Sequence, residues 1–135
     1  MKIVIDAYAW IEIFIGSKKG HKAREDLTQA EAIYTPDTVM AEIARKYFRE
    51  GVEEQTVLKR LKTIEETSDV VPVEKSVALE SAKCYMKLSE KARNENLKSP
   101  SLFDAIVLAT ARLLNAKVLT GDAHFRELPQ TLWIG

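Results

Sequence analysis

The chain has 135 residues, one cysteine, and twenty basic residues against twenty acidic ones, so its formal net charge is zero. That length suits one domain, residues 1–135, able to bury roughly two thirds of the surface its unfolded chain exposes. Balanced charge excludes a protein whose whole surface grips nucleic acid, and a lone Cys84 excludes both a disulfide framework and a Cys/His zinc set.

From the N-terminus, the pattern predicts a strand at 2–5, helices at 7–15 and 18–30, a strand at 32–34, helices at 36–50 and 52–67, and a strand at 70–73. A helix at 75–94, a helix at 101–115, a strand at 117–119, a helical turn near 123–127 and a strand at 131–134 follow. Prolines 36, 72, 100 and 129 and glycines 16, 20, 51, 121 and 135 are expected to fall between elements. Short apolar strands alternating with longer helices predict an α/β fold in three layers, α/β/α. The run Ile3-Val4-Ile5 is too short for a signal segment and no later run reaches membrane-spanning length, so a cytoplasmic location and no membrane partner are expected. Lys and Arg cluster at Lys18-Lys19-Lys22-Arg24, Arg45-Lys46-Arg49, Lys59-Arg60-Lys62 and Lys83-Lys87-Lys91-Arg93, each reading first as a solvated helix face.

In open parallel sheets ligands bind beyond the carboxyl ends of the strands. Asp6 follows the first strand, and Asp122 follows the fourth through Thr120-Gly121. Either is equally good as a helix N-cap. Asp104 is the only acid of an otherwise apolar helix, where a carboxylate is costly unless met by a partner. Two start registers are open for that helix. In one, Ser101 caps and Asp104 completes a capping box; in the other, Ser99 caps with Pro100 at the first helical position and Asp104 has no such task. Glu42 sits beside Arg45 and Lys46, off the stripe of Val39, Met40, Ile43, Ala44, Tyr47 and Phe48, and alone reads as a solvated glutamate. His21 and His124 read as surface residues, His124 being nearer to the candidate acids.

Four pieces in order carry a resemblance: Ile3-Val4-Ile5-Asp6, Ala41-Glu42, Ser101-Leu102-Phe103-Asp104-Ala105-Ile106 and Val118-Leu119-Thr120-Gly121-Asp122-Ala123-His124-Phe125. Together they resemble the PIN-domain family, and within it the small VapC-type toxins of prokaryotic toxin–antitoxin pairs. The resemblance implies a five-stranded parallel sheet, divalent-metal-dependent cleavage of RNA to 5′-phosphate and 3′-hydroxyl products, a homodimer, and a cognate antitoxin that inserts into the active-site groove. It implies Asp6, Asp104 and Asp122 as metal ligands, Glu42 as ligand or orienter of the attacking water, and Thr120 as a hydrogen-bond partner of a carboxylate or metal-bound water. Two positions depart from the pattern: Tyr8 stands where many relatives carry Ser or Asn, and His124 where many carry a further acid.

Carboxylates suit the chemistry, because Mg²⁺ and Mn²⁺ are hard cations that prefer oxygen, and four converging acids can hold one or two ions. No P-loop or dinucleotide glycine fingerprint is present. A haloacid-dehalogenase-like phosphatase needs an acid where Tyr8 stands, and a response-regulator receiver needs Asp after the third strand, where Val73-Glu74-Lys75 stands. The remaining alternative is a catalytically inactive scaffold of the same fold that binds RNA or protein. Val57, Leu61 and Ile64, and Val77, Tyr85 and Leu88, form helical stripes that serve as core or as interface.

Overall fold

Ile3, Val4, Ile5, Val118 and Leu119 are each at most 1% exposed, which is what a parallel sheet covered on both faces requires of its central strands. The computed structural model describes residues Met1–Gly135. Strands β1 (Lys2–Ile5), β2 (Ala32–Pro36), β3 (Asp69–Val71), β4 (Lys117–Thr120) and β5 (Thr131–Trp133) form one sheet in the order β3-β2-β1-β4-β5, with every pairing parallel. The helices are α1 (Ala7–Ile15), α2 (Lys18–Thr28), α3 (Asp37–Arg49), α4 (Glu54–Thr67), α5 (Lys75–Asn94) and α6 (Leu102–Leu114), and a 3₁₀ turn spans Ala123–Phe125. The expected α/β fold with a five-stranded parallel sheet is present, and each element lies within two residues of its predicted bounds.

From β1 the chain steps to β2 and then β3, and it returns from β3 to β4 across the sheet. Parallel crossovers are right-handed, so the outward steps carry α1 to α4 over one face and the return carries α5 and α6 over the other. The packing agrees: α3 and α4 lie against β2 and β3, while α6 lies against β1, β2 and β4 with α5 alongside it. The winding therefore reverses between β1 and β4, and the carboxyl ends of these two strands border a crevice. Their register sets Ile5 beside Leu119, so the residues that follow each strand emerge side by side. No helix is long and apolar enough to cross a membrane.

Two expectations about punctuation fail. Pro36 is the last residue of β2, paired with Val71, and leads directly into α3, where its missing N–H falls at a strand end. Gly20 lies inside the first turn of α2 rather than between elements. A Cβ there would stand 2.1 Å from the Glu12 carbonyl oxygen of α1, so its missing side chain is what lets the two helices touch backbone to backbone. Of the two stripes, Val57 and Ile64 are core with Leu61 partly buried, whereas Val77 and Leu88 are buried and Tyr85 faces outward.

The Gly20 contact generates a prediction in which two effects oppose each other. Alanine ordinarily favours a helix over glycine by ~1 kcal/mol, yet here its methyl group meets fixed backbone, and overpacking of that kind costs ~1–3 kcal/mol or more. Gly20→Ala is expected to lower the urea midpoint, and a raised midpoint would show that α1 and α2 separate freely.

Candidate active site

Asp6 caps α1: its Oδ1 accepts from the Ala9 N–H at 3.0 Å. Its Oδ2 accepts from the Thr120 hydroxyl at 2.6 Å, a bond that spans β1 and β4. The same Thr120 oxygen accepts from the Asp122 N–H at 3.0 Å, so one hydroxyl links the two acids at the crevice. Asp122 in turn caps the 3₁₀ turn through the His124 N–H, 2.8 Å from its Oδ1. Asp104 enters from α6. The Ser101 register holds there, with the Ser101 N–H donating to Asp104 Oδ2 at 2.9 Å and the Asp104 N–H donating to Ser101 Oγ at 3.1 Å. The Ser99 register is therefore corrected. Capping occupies one Asp104 oxygen and leaves Oδ1 without a protein donor. Glu42 arrives from α3, half-buried, with no protein donor on either oxygen.

All four sequence-predicted acids share one neighbourhood. Ligand atoms of Asp104, Asp122 and His124 lie within 4.8 Å of one another. Asp6 sits deeper, only 6% exposed. Burial pushes the Asp6 carboxyl up to about 7, with the neighbouring charges of Asp122 and Glu42 adding to the rise. Glu42 is likewise pushed up to about 7, first by burial, then by the charges of Asp104 and Asp122, against a lowering by Arg45. Burial also raises Asp104, and the hydrogen bond from Ser101 does not offset it. No Lys or Arg forms an ion pair with any of the four acids; the one pairing partner is His124, at 2.8 Å from Asp122. Burial depresses the imidazole, yet its bonds to the Lys98 carbonyl and to Asp122 outweigh that and leave its pKa raised.

His124 was read from sequence as a surface residue, and that is corrected: both ring nitrogens are engaged, one of them by a candidate acid. The signal was its place two residues after Asp122. The Tyr8 departure also has a physical reading. Its ring occupies the space a side chain at Gly121 would need, where a Cβ would stand 2.4 Å from Tyr8 Cε1, and the Lys19 ammonium donates to its hydroxyl at 2.9 Å. Gly121 between Thr120 and Asp122 is thus required by an aromatic wall.

From the acids a groove of about 750 Å³ runs between α1, α3 and α4, lined by Tyr8, Ile11, Phe14, Glu42, Tyr47 and Asp122 among others. Its lining also includes Arg45, Arg49 and Arg60, none in an ion pair with a carboxylate. The Arg60 guanidinium lies 4.5 Å over the Tyr47 ring and 5.7 Å over that of Phe14. The groove lining thus holds basic side chains beside the acids. Around the acids the donors are hard oxygens with unspent lone pairs, offset only in part by the charge of Arg45 near Glu42, a set that fits Mg²⁺ or Mn²⁺ better than a softer ion.

Residues 3–130 match the family model described as PIN domain. No curated protein matches the sequence. Among solved structures, the chain is similar to a toxin–antitoxin complex from Klebsiella pneumoniae, 19% identical with 98% of each chain covered and a TM-score of 0.67. It is also similar to VapC20 of Mycobacterium tuberculosis, described as a sarcin–ricin loop cleaving toxin, at 15% identity, 91% of this chain, 92% of that one, and a TM-score of 0.69. VapBC-1 from nontypeable Haemophilus influenzae is 17% identical over 98% of this chain and 96% of its own, with a TM-score of 0.68. At these identities the likeness is one of fold.

The raised acids dictate how the metal-free fold responds to pH. A carboxyl whose folded pKa lies above its unfolded one stabilises the fold fully below the unfolded value, near 4, and loses that contribution as pH rises toward about 7. The raised imidazole acts in the same direction, so in chelator the melting temperature is expected to fall by at least ~5 °C between pH 5 and pH 8. A flat or rising profile would contradict the raised carboxyls. Asp104→Asn tests the same effect at one residue. Asparagine retains a carbonyl oxygen for the Ser101 N–H but removes the charge, and the net raised pKa of Asp104 says that charge is a liability despite the cap. The variant is expected to melt ~2–5 °C above wild type in chelator at pH 7 and to gain less from magnesium.

Proposed function

The chain belongs to the PIN-domain family, and from that premise we propose that it is a metal-dependent endoribonuclease, the toxin of a toxin–antitoxin pair. The observation that carries the reading is the convergence of Asp6, Glu42, Asp104 and Asp122 at a parallel-sheet crevice with no Lys or Arg pairing to them. Asp104 through Oδ1, Asp122 through Oδ2 and Asp6 through its remaining lone pairs would hold one or two ions, with Glu42 as a further ligand or as the group that orients the attacking water. When bound, Mg²⁺ or Mn²⁺ supplies the Lewis acidity that acidifies water and neutralises charge developing on the phosphate.

The chain's own groups divide the remaining work. Thr120 holds Asp6 and the Asp122 backbone in fixed relation, so the acids need no rearrangement to act together. Glu42, unbound by any protein donor and with a pKa of about 7, can accept a proton near neutrality and pass it on. Because Asp6 and Glu42 both hold protons readily near pH 7, ion uptake competes with protons and strengthens as pH rises. Arg45, Arg49 and Arg60 in the groove lining give an RNA strand phosphate contacts. A cognate antitoxin would silence the enzyme by covering this groove, in keeping with the toxin–antitoxin assemblies among the similar folds. A homodimer in the cytoplasm completes the proposal.

Purified protein is expected to cleave single-stranded or structured RNA with Mg²⁺ or Mn²⁺ and to lose that activity in chelator. Asp6→Asn should lower the rate at least about 100-fold, as expected when a metal ligand or its partner is lost. Cleavage undiminished in chelator would overturn the reading, and metal binding without cleavage of any RNA would favour the inactive scaffold.

A further inference from the structure

His124 belongs to the 3₁₀ turn after β4, yet its side chain reaches the loop between α5 and α6. Its Nε2 stands 2.7 Å from the Lys98 carbonyl oxygen, which can only accept, so Nε2 carries a hydrogen and donates it. Its Nδ1 stands 2.8 Å from Asp122 Oδ1, the oxygen that also accepts from the His124 N–H. The ring therefore spans two loops that are far apart in sequence, and one of them runs directly into Ser101 and Asp104. The turn is fixed from a further side as well, because the Lys91 ammonium donates to the Ala123 carbonyl at 3.4 Å while pairing with Glu95 at 3.0 Å.

Accounting for the atoms separates two roles for this histidine. As a ligand it would need a ring nitrogen with a lone pair aimed at the ion. Neither nitrogen has one free, because each is within hydrogen-bond distance of a protein oxygen. What the residue does instead is occupy Asp122 Oδ1 with its backbone N–H and its ring Nδ1 and leave Oδ2 as the oxygen available to an ion. It does so while anchored to the loop that leads into α6 and Asp104, so one side chain joins that loop to the Asp122 carboxylate.

We infer that His124 is a positioning residue, a two-ended strut between the Lys98 carbonyl and the Asp122 carboxylate that holds Asp122 in place for a metal ion shared with Asp104. The inference rests on the metal-centre reading proposed above. Outer partners that orient a ligand typically account for ~10–100-fold in metal affinity. A strut differs from a simple partner of Asp122 in needing both ends.

Mn²⁺ titration of the full chain, followed by electron paramagnetic resonance, tests it without reference to cleavage. His124→Ala is expected to weaken Mn²⁺ binding at least ~10-fold. Two further variants keep one end each: His124→Asn retains a donor near Nδ1 for Asp122 but is too short for Lys98, and His124→Gln reaches Lys98 but gives up Asp122. Each is expected to recover only part of the lost affinity, and both remain informative if the alanine variant fails to fold. Full recovery by His124→Asn would reduce the residue to a local partner of Asp122 and overturn the strut. Affinity unchanged in all three would overturn it too. In wild type loaded with Mn²⁺, spin-echo modulation is expected to lack an imidazole nitrogen coupling; a coupling lost in His124→Gln would make His124 a ligand and refute the inference. If wild type binds no Mn²⁺ at all, the metal-centre reading itself fails and takes the strut with it, an outcome distinct from binding that ignores His124.

Discussion

Like charges held at short range are what the rest of this architecture has to tolerate. Two unit charges 4 Å apart repel by about 4 kcal/mol at an effective dielectric of about 20, before proton uptake relieves them. The opposing force comes from β1 and β4. Ile3, Val4, Ile5, Val118 and Leu119 are almost completely buried, and each side chain of that size contributes roughly 1.5–3 kcal/mol on burial. Burial of these side chains favours the register Ile5 to Leu119, and that register fixes where the acids that follow emerge. The raised proton affinity of Asp6 and Glu42 reports their burial first and the neighbouring charges second.

Local hydrogen bonding then divides the carboxylate oxygens between structural and available ones. Asp6 spends both oxygens on the Ala9 N–H and the Thr120 hydroxyl, Asp104 spends one on its own helix cap, and Asp122 spends one on His124. An acid that caps a helix and an acid that faces a ligand are often treated as alternatives, but a carboxylate has two oxygens and here does both. Asp104 is the clearest case: its capping box is complete, and one of its carboxylate oxygens lies within 4.8 Å of one on Asp122.

Much of this was legible in the sequence because the signals were periodic or local. Strands as apolar as Ile3-Val4-Ile5 and helices with stripes such as Val39, Ile43 and Tyr47 identify themselves by burial, and Asp6 and Asp122 follow from their places at strand ends. What escaped was set by contacts between elements distant in sequence. Gly20 reads as a loop residue until α1 is laid against it, and nothing in its own neighbourhood announces the Glu12 carbonyl. His124 reads as a turn residue until the Lys98 carbonyl arrives from another loop. Glu42 looks solvated on its own helix, and only the fold of α3 over the crevice brings it among the other acids. The Ser101 and Ser99 registers differ by less than one helical turn and have comparable local signals, and the complete capping box of Ser101 and Asp104 distinguishes them in the structure.

The bond from Thr120 to Asp6 joins residues separated by 114 positions. Contacts of such long sequence separation form late in folding, because the entropy of closing the intervening loop must be met before they contribute. A partly folded chain, with β1 formed but β4 not yet docked beside it, holds Asp6 and Glu42 without Asp122 and has no crevice to present. The acidic centre is thus a property of the finished fold, because Asp122 joins Asp6 only where β4 is docked beside β1.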